Sequence, residues 1–229
     1  MSDLEQIAAI VAQRAYKSAA KSTRQGSPER ARRESCKELS DVLIRAGELD
    51  RRSIDCGNGC SYCCYIRVIA TPVEIFGLID HLQACLSTEE FNNFKNRVEA
   101  AAAAIKPLTA NEHLRTNVQC PALQDGRCIA YAARPMRCRA HHSVSTEFCK
   151  DEYDNPNATI GPQTALPFRK TLGMAHMEGF ETGLSHVGFD GDCYELIAAL
   201  HEALNEPSAR AEFLARRKAF RSVSREQRY

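Results

Sequence analysis

The chain of 229 residues contains no tryptophan, and only 7% of its residues are aromatic. Any core must therefore be mainly aliphatic, and a hydrophobic content of 44% supplies enough material for one. Charge of one sign is also lacking. The formal net charge is +1, so no global field points to nucleic acid or to an anionic membrane. No apolar run approaches the roughly 18 residues that cross a bilayer. Asp3 and Glu5 stand where a secretory leader carries basic and then apolar residues. Strand-like alternation and internal repeats are absent as well. What the chain has in quantity is cysteine, eleven residues in all. An odd count on a chain of this length does not suit a secreted disulfide framework. The expected compartment is the reducing cytoplasm, with the cysteines serving as thiols, ligands or nucleophiles.

The hydrophobic pattern is helical almost throughout. Leu4, Ile7, Ala8, Val11 and Ala15 recur at helical spacing behind a Ser2–Glu5 capping box. Gly26-Ser27-Pro28 interrupts this helix, and Ser27 caps the next with Pro28 at its first position. Cys36, Leu39, Leu43 and Ala46 share one face of that second helix. Thr71–Glu74 opens a helix to about Leu86. Ser87–Glu90 opens another that stops at Pro107, with Leu86 packing on Phe91. Residues 71–106 thus read as a helical hairpin. Residues 118–162 read as irregular, with one short helix near 129–133 and an exposed loop at Asn155-Pro156-Asn157. A weak helix is expected over 167–180, where Gly173 and Gly179 count against it. A strong one is expected over 192–205, with Leu196, Ile197, Leu200 and Leu204 on one face. Ser208 caps a last, basic helix to about Phe220, and the final nine residues read as frayed.

Eight of the cysteines fall in two sets. The first is Cys56-Gly-Asn-Gly-Cys60-Ser-Tyr-Cys63-Cys64, and the second is Cys120, Cys128, Cys138 and Cys149. Gly57 and Gly59 allow a sharp turn that brings backbone N–H groups toward sulfur. Cys63 and Cys64 are adjacent, so their Cβ atoms diverge on most backbones. They either feed different metal atoms, or one ligates and the other packs. Gln124-Asp125-Gly126 is a turn that brings Cys120 and Cys128 together. Arg127, Arg134, Arg137 and Arg139 surround the second set. Four thiolates on one divalent ion carry a net charge of about −2, which guanidinium groups offset while donating to sulfur. That role falls to Arg134 and Arg139 above the others.

This two-part pattern resembles the CxxCxxCC family of zinc- or iron-chelating proteins, also called YkgJ-like cysteine-cluster proteins. Cys60-Ser-Tyr-Cys63-Cys64 matches the first half of the family motif. Cys120, Gly126-Arg-Cys128 and Tyr131-Ala-Ala-Arg134-Pro135-Met-Arg-Cys138-Arg139 match the second. The resemblance spans about residues 54–145 and departs at Cys56, which three residues, not two, separate from Cys60. It implies a metal or cluster held by Cys56, Cys60, Cys63, Cys64, Cys120, Cys128 and Cys138, with no defined activity. Related cysteines in larger proteins assigned as flagellin lysine methyltransferases suggest an iron–sulfur cluster. This chain has no recognisable cosubstrate-binding motif, so that activity is not carried over. Cys56-x-x-x-Cys60-x-Tyr62-Cys63 also resembles the radical S-adenosylmethionine signature. That family, however, sets the loop after a barrel strand, and helices flank it here.

Cys36, Cys85 and Cys193 sit on apolar helical stripes and read as small core residues. Cys149, His141 and His142 are left open as ligands. His176, His186 and His201 read as structural or solvated, and the arginine-rich tail reads as a solvated face. The expected architecture is mainly α: one helical domain around a loop-rich, cysteine-ligated metal centre. Residues 1–50 form its N-terminal helices, 51–150 its cysteine core and 151–229 its C-terminal helices. The expected cofactor is an iron–sulfur cluster or zinc. Iron–sulfur is slightly preferred because adjacent Cys63 and Cys64 suit a multinuclear core. Whether the centre is catalytic, a structural zinc module or a metal-handling site stays open. The expected partner is the metal itself, with no membrane and nothing that points to nucleic acid.

Overall fold

The computed structural model describes residues 2–50, 52–57, 59–157 and 165–226. It is mainly helical, with ten α-helices and five very short strands among the described residues. None of these helices is long and apolar enough to cross a membrane. Local signals set the first four helices. Ser2 and Glu5 cap α1 (Asp3–Gln25) reciprocally, and Ser27 caps α2 (Pro28–Leu49) with Pro28 at its first position. Thr71–Glu74 and Ser87–Glu90 open α3 (Pro72–Cys85) and α4 (Thr88–Ile105), the expected hairpin. A further box, Thr109–Glu112, starts the one-turn α5 (Ala110–His113).

The stretch expected to be irregular contains two more short helices, α6 (Met136–Ala140) and α7 (Thr146–Asp154), with a 3₁₀ turn at Tyr131–Ala133 before them. The loop at Asn155-Pro156-Asn157 is described and mostly exposed. Residues 158–162 of the same stretch lie outside the described residues.

The weak helix expected over 167–180 is instead a full helix, α8 (Pro167–His186). Its glycines explain the discrepancy. A Cβ at Gly179 would stand 2.2 Å from the Ala12 carbonyl oxygen, and one at Gly183 would stand 2.7 Å from that of Tyr16. These glycines lie one turn apart on one face, and they let α8 run parallel to α1 at backbone contact. The buried α1 face there is Ala15, Ala19 and Ala20, whereas Ile7 on the expected stripe is exposed. Helix α2 packs on both, and with them forms the frame of the molecule.

The run expected as helix 192–205 begins as a strand, β4 (Cys193–Glu195), before α9 (Leu196–Asn205). β4 lies between β1 (Ile69–Ala70) and β5 (Arg225–Glu226), antiparallel to both, with Ile69 opposite Glu195 and Tyr194 opposite Arg225. The basic helix stops early, as α10 (Ser208–Leu214), because Arg216 takes a left-handed φ of 61°. The chain then turns back across the core. Ala219 N–H donates to Asp190, and those of Arg221 and Ser222 donate to Glu202. The tail is therefore ordered through Glu226, contrary to the frayed end expected, and residues 227–229 lie outside the described residues. Four of its arginines are paired as well: Arg210 with Asp80, Arg217 and Arg221 with Glu212, and Arg225 with Asp192.

The helix crossing gives a test with a clear sign. Gly→Ala in a helix interior ordinarily gains about 1 kcal/mol. Here the new methyl meets a backbone oxygen that cannot rotate away. Gly179→Ala is expected to destabilise the protein by about 2 kcal/mol or more, read as a lower urea midpoint. An unchanged or raised midpoint would mean that α1 and α8 are not in backbone contact.

Candidate metal centre

The first cysteine segment is held at both ends by backbone hydrogen bonds to the second. The Cys64 carbonyl accepts from Cys120 N–H at 2.7 Å, and that of Tyr65 accepts from Val118 N–H at 3.2 Å. At the other end Asp55 N–H donates to the Ser143 carbonyl at 3.0 Å, and Ser143 N–H donates to Cys56 Sγ at 3.2 Å. The Asp55 carboxylate accepts from the backbone and hydroxyl of Thr146 at the start of α7. Asp125 and Gly126, both at positive φ, make the tight turn of a hairpin. Its strands are β2 (Leu123–Gln124) and β3 (Arg127–Cys128). The hairpin sets Cys128 beside the Cys120 strand entry. Cys138 rides on α6, whose first N–H, that of Met136, donates to buried Glu74 Oε1 at 2.7 Å.

The result is one cavity of about 950 Å³ onto which Cys56, Cys60, Cys63, Cys64, Cys120, Cys128 and Cys138 all open. Every residue of the expected ligand pool is on its wall. Cys63 and Cys64 do not diverge as expected. They lie on a 3₁₀ turn, Tyr62–Cys64, where successive side chains stand about 120° apart, not on opposite faces as in a strand. The Cys63 thiol consequently meets that of Cys64 in a hydrogen bond, which raises the Cys63 pKa, as burial also does. Burial pushes Cys120 up to about 11 and raises Cys128, Cys138 and Cys56. The Arg134 guanidinium opposes the rise at Cys128. These cavity thiols are therefore neutral near pH 7 unless something electropositive joins them.

Among the described residues, no three Cys, His, Asp or Glu side chains are grouped tightly enough to hold one metal ion between them. Zinc bonds of ~2.3 Å would place tetrahedral sulfurs about 3.8 Å apart. The thiols instead stand around the cavity wall. Thiols and guanidinium groups on one wall are the donor types that a sulfur-ligated, anionic group would use. Arg134, Arg137, Arg139 and Arg169 all line the cavity, and each keeps a buried Nε–H without a hydrogen-bond partner. Arg134 also stacks on Tyr131, 4.0 Å from the ring centre. Arg139 donates to the Ala132 carbonyl at 3.2 Å. Arg137 is anchored by Glu181 at 3.1 Å.

The remaining candidates separate. His142 is committed to the fold: Nδ1 stands 2.8 Å from the Ala140 carbonyl, and Nε2 accepts from Leu166 N–H at 2.9 Å. That pairing puts its proton on Nδ1 and leaves no lone pair for a metal. His141 opens onto the cavity, with its pKa lowered first by burial and then by His142. Cys149 is half-buried near Cys56 and Cys60 but does not line the cavity. Of the three expected core cysteines, Cys36 and Cys193 are buried. Cys85 is exposed, with its sulfur 3.7 Å from His81 Nδ1. Cys193 lies on β4, not on the α9 stripe, and donates to Glu181.

Four residues escaped the sequence reading. Arg169, at the start of α8, carries no local mark of its place on the wall. Arg67 and Glu195 reach the cavity through the β1–β4 pairing, a contact between distant segments. Glu74 was legible only as a cap. No protein-family model, curated protein or solved structure matches the chain.

Glu74 ties the helical hairpin to the cysteine wall by accepting from Thr71 and from Met136. Glu74→Ala strands these buried donors, at a cost of about 2–3 kcal/mol. The expected outcome is a matching drop in urea stability with faster alkylation of Cys138. A variant as stable as wild type would show that α6 is held by something else.

Proposed function

We propose that the chain binds a metal centre through its two-part cysteine cluster, an iron–sulfur cluster in preference to zinc, in the reducing cytoplasm. The observation that carries this reading is the convergence of seven thiols, from two segments that the α3–α4 hairpin separates in sequence, on one cavity. All eleven cysteines are free thiols, as a reducing compartment requires. The four unpartnered arginine Nε–H groups supply positive charge and donors for the sulfurs of an anionic centre. Thiols spread around a roomy wall suit a polynuclear group, which spans the gap, better than one ion, which needs them gathered at a point. The resemblance to YkgJ-like cysteine-cluster proteins agrees with this reading.

In such a centre Cys63, Cys120, Cys128 and Cys138 are the deepest ligands, and Cys138 interacts electrostatically with the other three. Cys56 and Cys60 form a second, shallower group beside Cys63. The centre would supply electron-transfer or Lewis-acid chemistry, and the arginines would hold its charge. A purely structural staple is less favoured, because backbone hydrogen bonds already join the two segments and the α1–α2–α8 frame contains no cavity cysteine.

The test is anaerobic purification followed by iron, zinc and acid-labile sulfide analysis. Iron and sulfide in near-equal amounts are expected, lost in Cys138→Ser and retained in Cys85→Ser. Chelation is expected to remove the metal while leaving the far-ultraviolet helical signal. Stoichiometric zinc without sulfide would replace the cluster by a zinc site. Absence of any metal after anaerobic isolation, or equal loss in both variants, would overturn the reading.

A further inference from the structure

The cavity wall carries more positive charge than the proposed centre uses. Six arginines line it, against one carboxylate, Glu195, among the described residues. Arg67 pairs with Glu226, and Arg137 with Glu181. Glu195 is buried and stands in the field of Arg67. Arg127, Arg134, Arg139 and Arg169 form no ion pair among the described residues. A four-thiolate centre brings a charge of about −2, and these four guanidinium groups exceed it even with Glu195 added.

Two of the four are placed to share a ligand. Arg134 is held by stacking on Tyr131, 4.0 Å from the ring centre, and its guanidinium makes no hydrogen bond among the described residues. Its donors are therefore uncommitted. Arg169 is tethered by one nitrogen, Nη1, which donates to the Leu43 carbonyl at 2.9 Å and packs against Gly47. Its Nε–H has no partner. Asp50 is felt at Arg169, but its oxygens accept from the first N–H groups of α8, Phe168 at 3.3 Å and Arg169 at 3.0 Å. The two guanidinium groups are close enough that Arg134 adds to burial in lowering the Arg169 pKa. Like charges held near each other away from water are costly, and an anion between them removes that cost. Arg134 stands beside Cys63 and Cys128, and Arg169 beside Cys56. An anion shared by the two therefore borders both the deep and the shallow thiols.

The rest of the lining says what such an anion carries. Ile54, Ile66, Leu114, Val118, Leu123 and Ile197 open onto the same cavity. Its volume of about 950 Å³ lies at the upper end of the range of small-molecule sites. The guanidinium fork matches a carboxylate through two parallel bonds. We propose that the cavity binds a small monocarboxylate with an apolar body, its carboxylate bridging Arg134 and Arg169 next to the thiols. The proposal rests on the metal-centre reading for the ligand's role, as the substrate brought to that centre, and not for the binding itself. An alkylamine is repelled by the arginines. Inorganic phosphate meets the arginines but gains nothing from the apolar lining.

The experiment is anaerobic calorimetric titration of the purified chain with hexanoate, hexylamine and inorganic phosphate, with iron and zinc assayed in the same samples. Hexanoate is expected to bind at least about tenfold more tightly than either of the others. Arg169→Gln should weaken hexanoate by about tenfold, and Arg169→Lys, which keeps the charge but not the fork, should recover only part of that loss. Arg24→Gln removes the same charge from the exposed end of α1 and should leave hexanoate binding unchanged. If Arg169→Gln loses its far-ultraviolet helical signal, Arg134→Gln carries the same test, because that side chain makes no hydrogen bond to the fold. Hexylamine or phosphate binding as tightly as hexanoate would overturn the proposal. So would an affinity that survives loss of the arginine, or an equal loss in Arg24→Gln. A protein without metal that keeps the arginine-dependent preference for hexanoate would sustain this inference while removing the metal reading. Intact metal content with no such preference would do the reverse.

Discussion

The candidate site depends on one joint, the short hydrogen bond from Cys120 N–H to the Cys64 carbonyl. It fixes the register between two segments that the α3–α4 hairpin separates in sequence. That register sets the first cysteine segment against the entry to the hairpin that carries Cys128, while Glu74 holds the α6 turn that carries Cys138 and the β1–β4 pairing brings Glu195 alongside. The joint is made by backbone groups, so it does not compete with the thiols for their own partners. The sulfurs stay available to the cavity, and the helices around them stay intact without them.

The chemistry of that wall is a balance between burial and positive charge. Burial alone keeps the thiols protonated, and the pKa shifts of Cys120, Cys128 and Cys138 all run in that direction. The Arg134 guanidinium pulls the other way at Cys128 and Cys63, and Arg137, Arg139 and Arg169 on the same wall keep unpartnered Nε–H groups. A wall of neutral thiols facing unsatisfied guanidinium donors has its charges unmatched. A metal–sulfur centre of the kind proposed would match them, because thiols must lose their protons to ligate and would then present negative sulfur to the arginines. Metal loading and proton release would then be one event.

What could be read from the sequence was local. The capping boxes at Ser2, Thr71 and Ser87 gave correct helix starts because a cap involves residues three apart. The cysteine motif was legible because its turns, at Gly57-x-Gly59 and Asp125-Gly126, are encoded by residue type. What could not be read was tertiary. Gly179 counts against a helix by intrinsic propensity, and only the α1 backbone against it reveals why a glycine is there. Arg216 gives no signal of the left-handed turn that ends α10. Cys85 fits an apolar stripe in projection, yet its side chain is exposed at the last position of α3. Cys63 and Cys64 diverge on an extended chain but meet on a 3₁₀ turn. Glu195 falls inside the run expected as helix 192–205, and it is buried where β4 pairs with β1.

The most direct test of the central claim is X-ray absorption at the metal edge of the anaerobically purified protein. The account predicts a coordination sphere of sulfur alone, with a short metal–metal distance that marks a polynuclear centre held by the cavity cysteines. A sphere dominated by nitrogen and oxygen would contradict it, since among the described residues the wall offers seven thiols against the free histidine His141 and the carboxylate Glu195, and the cysteines would then need another explanation.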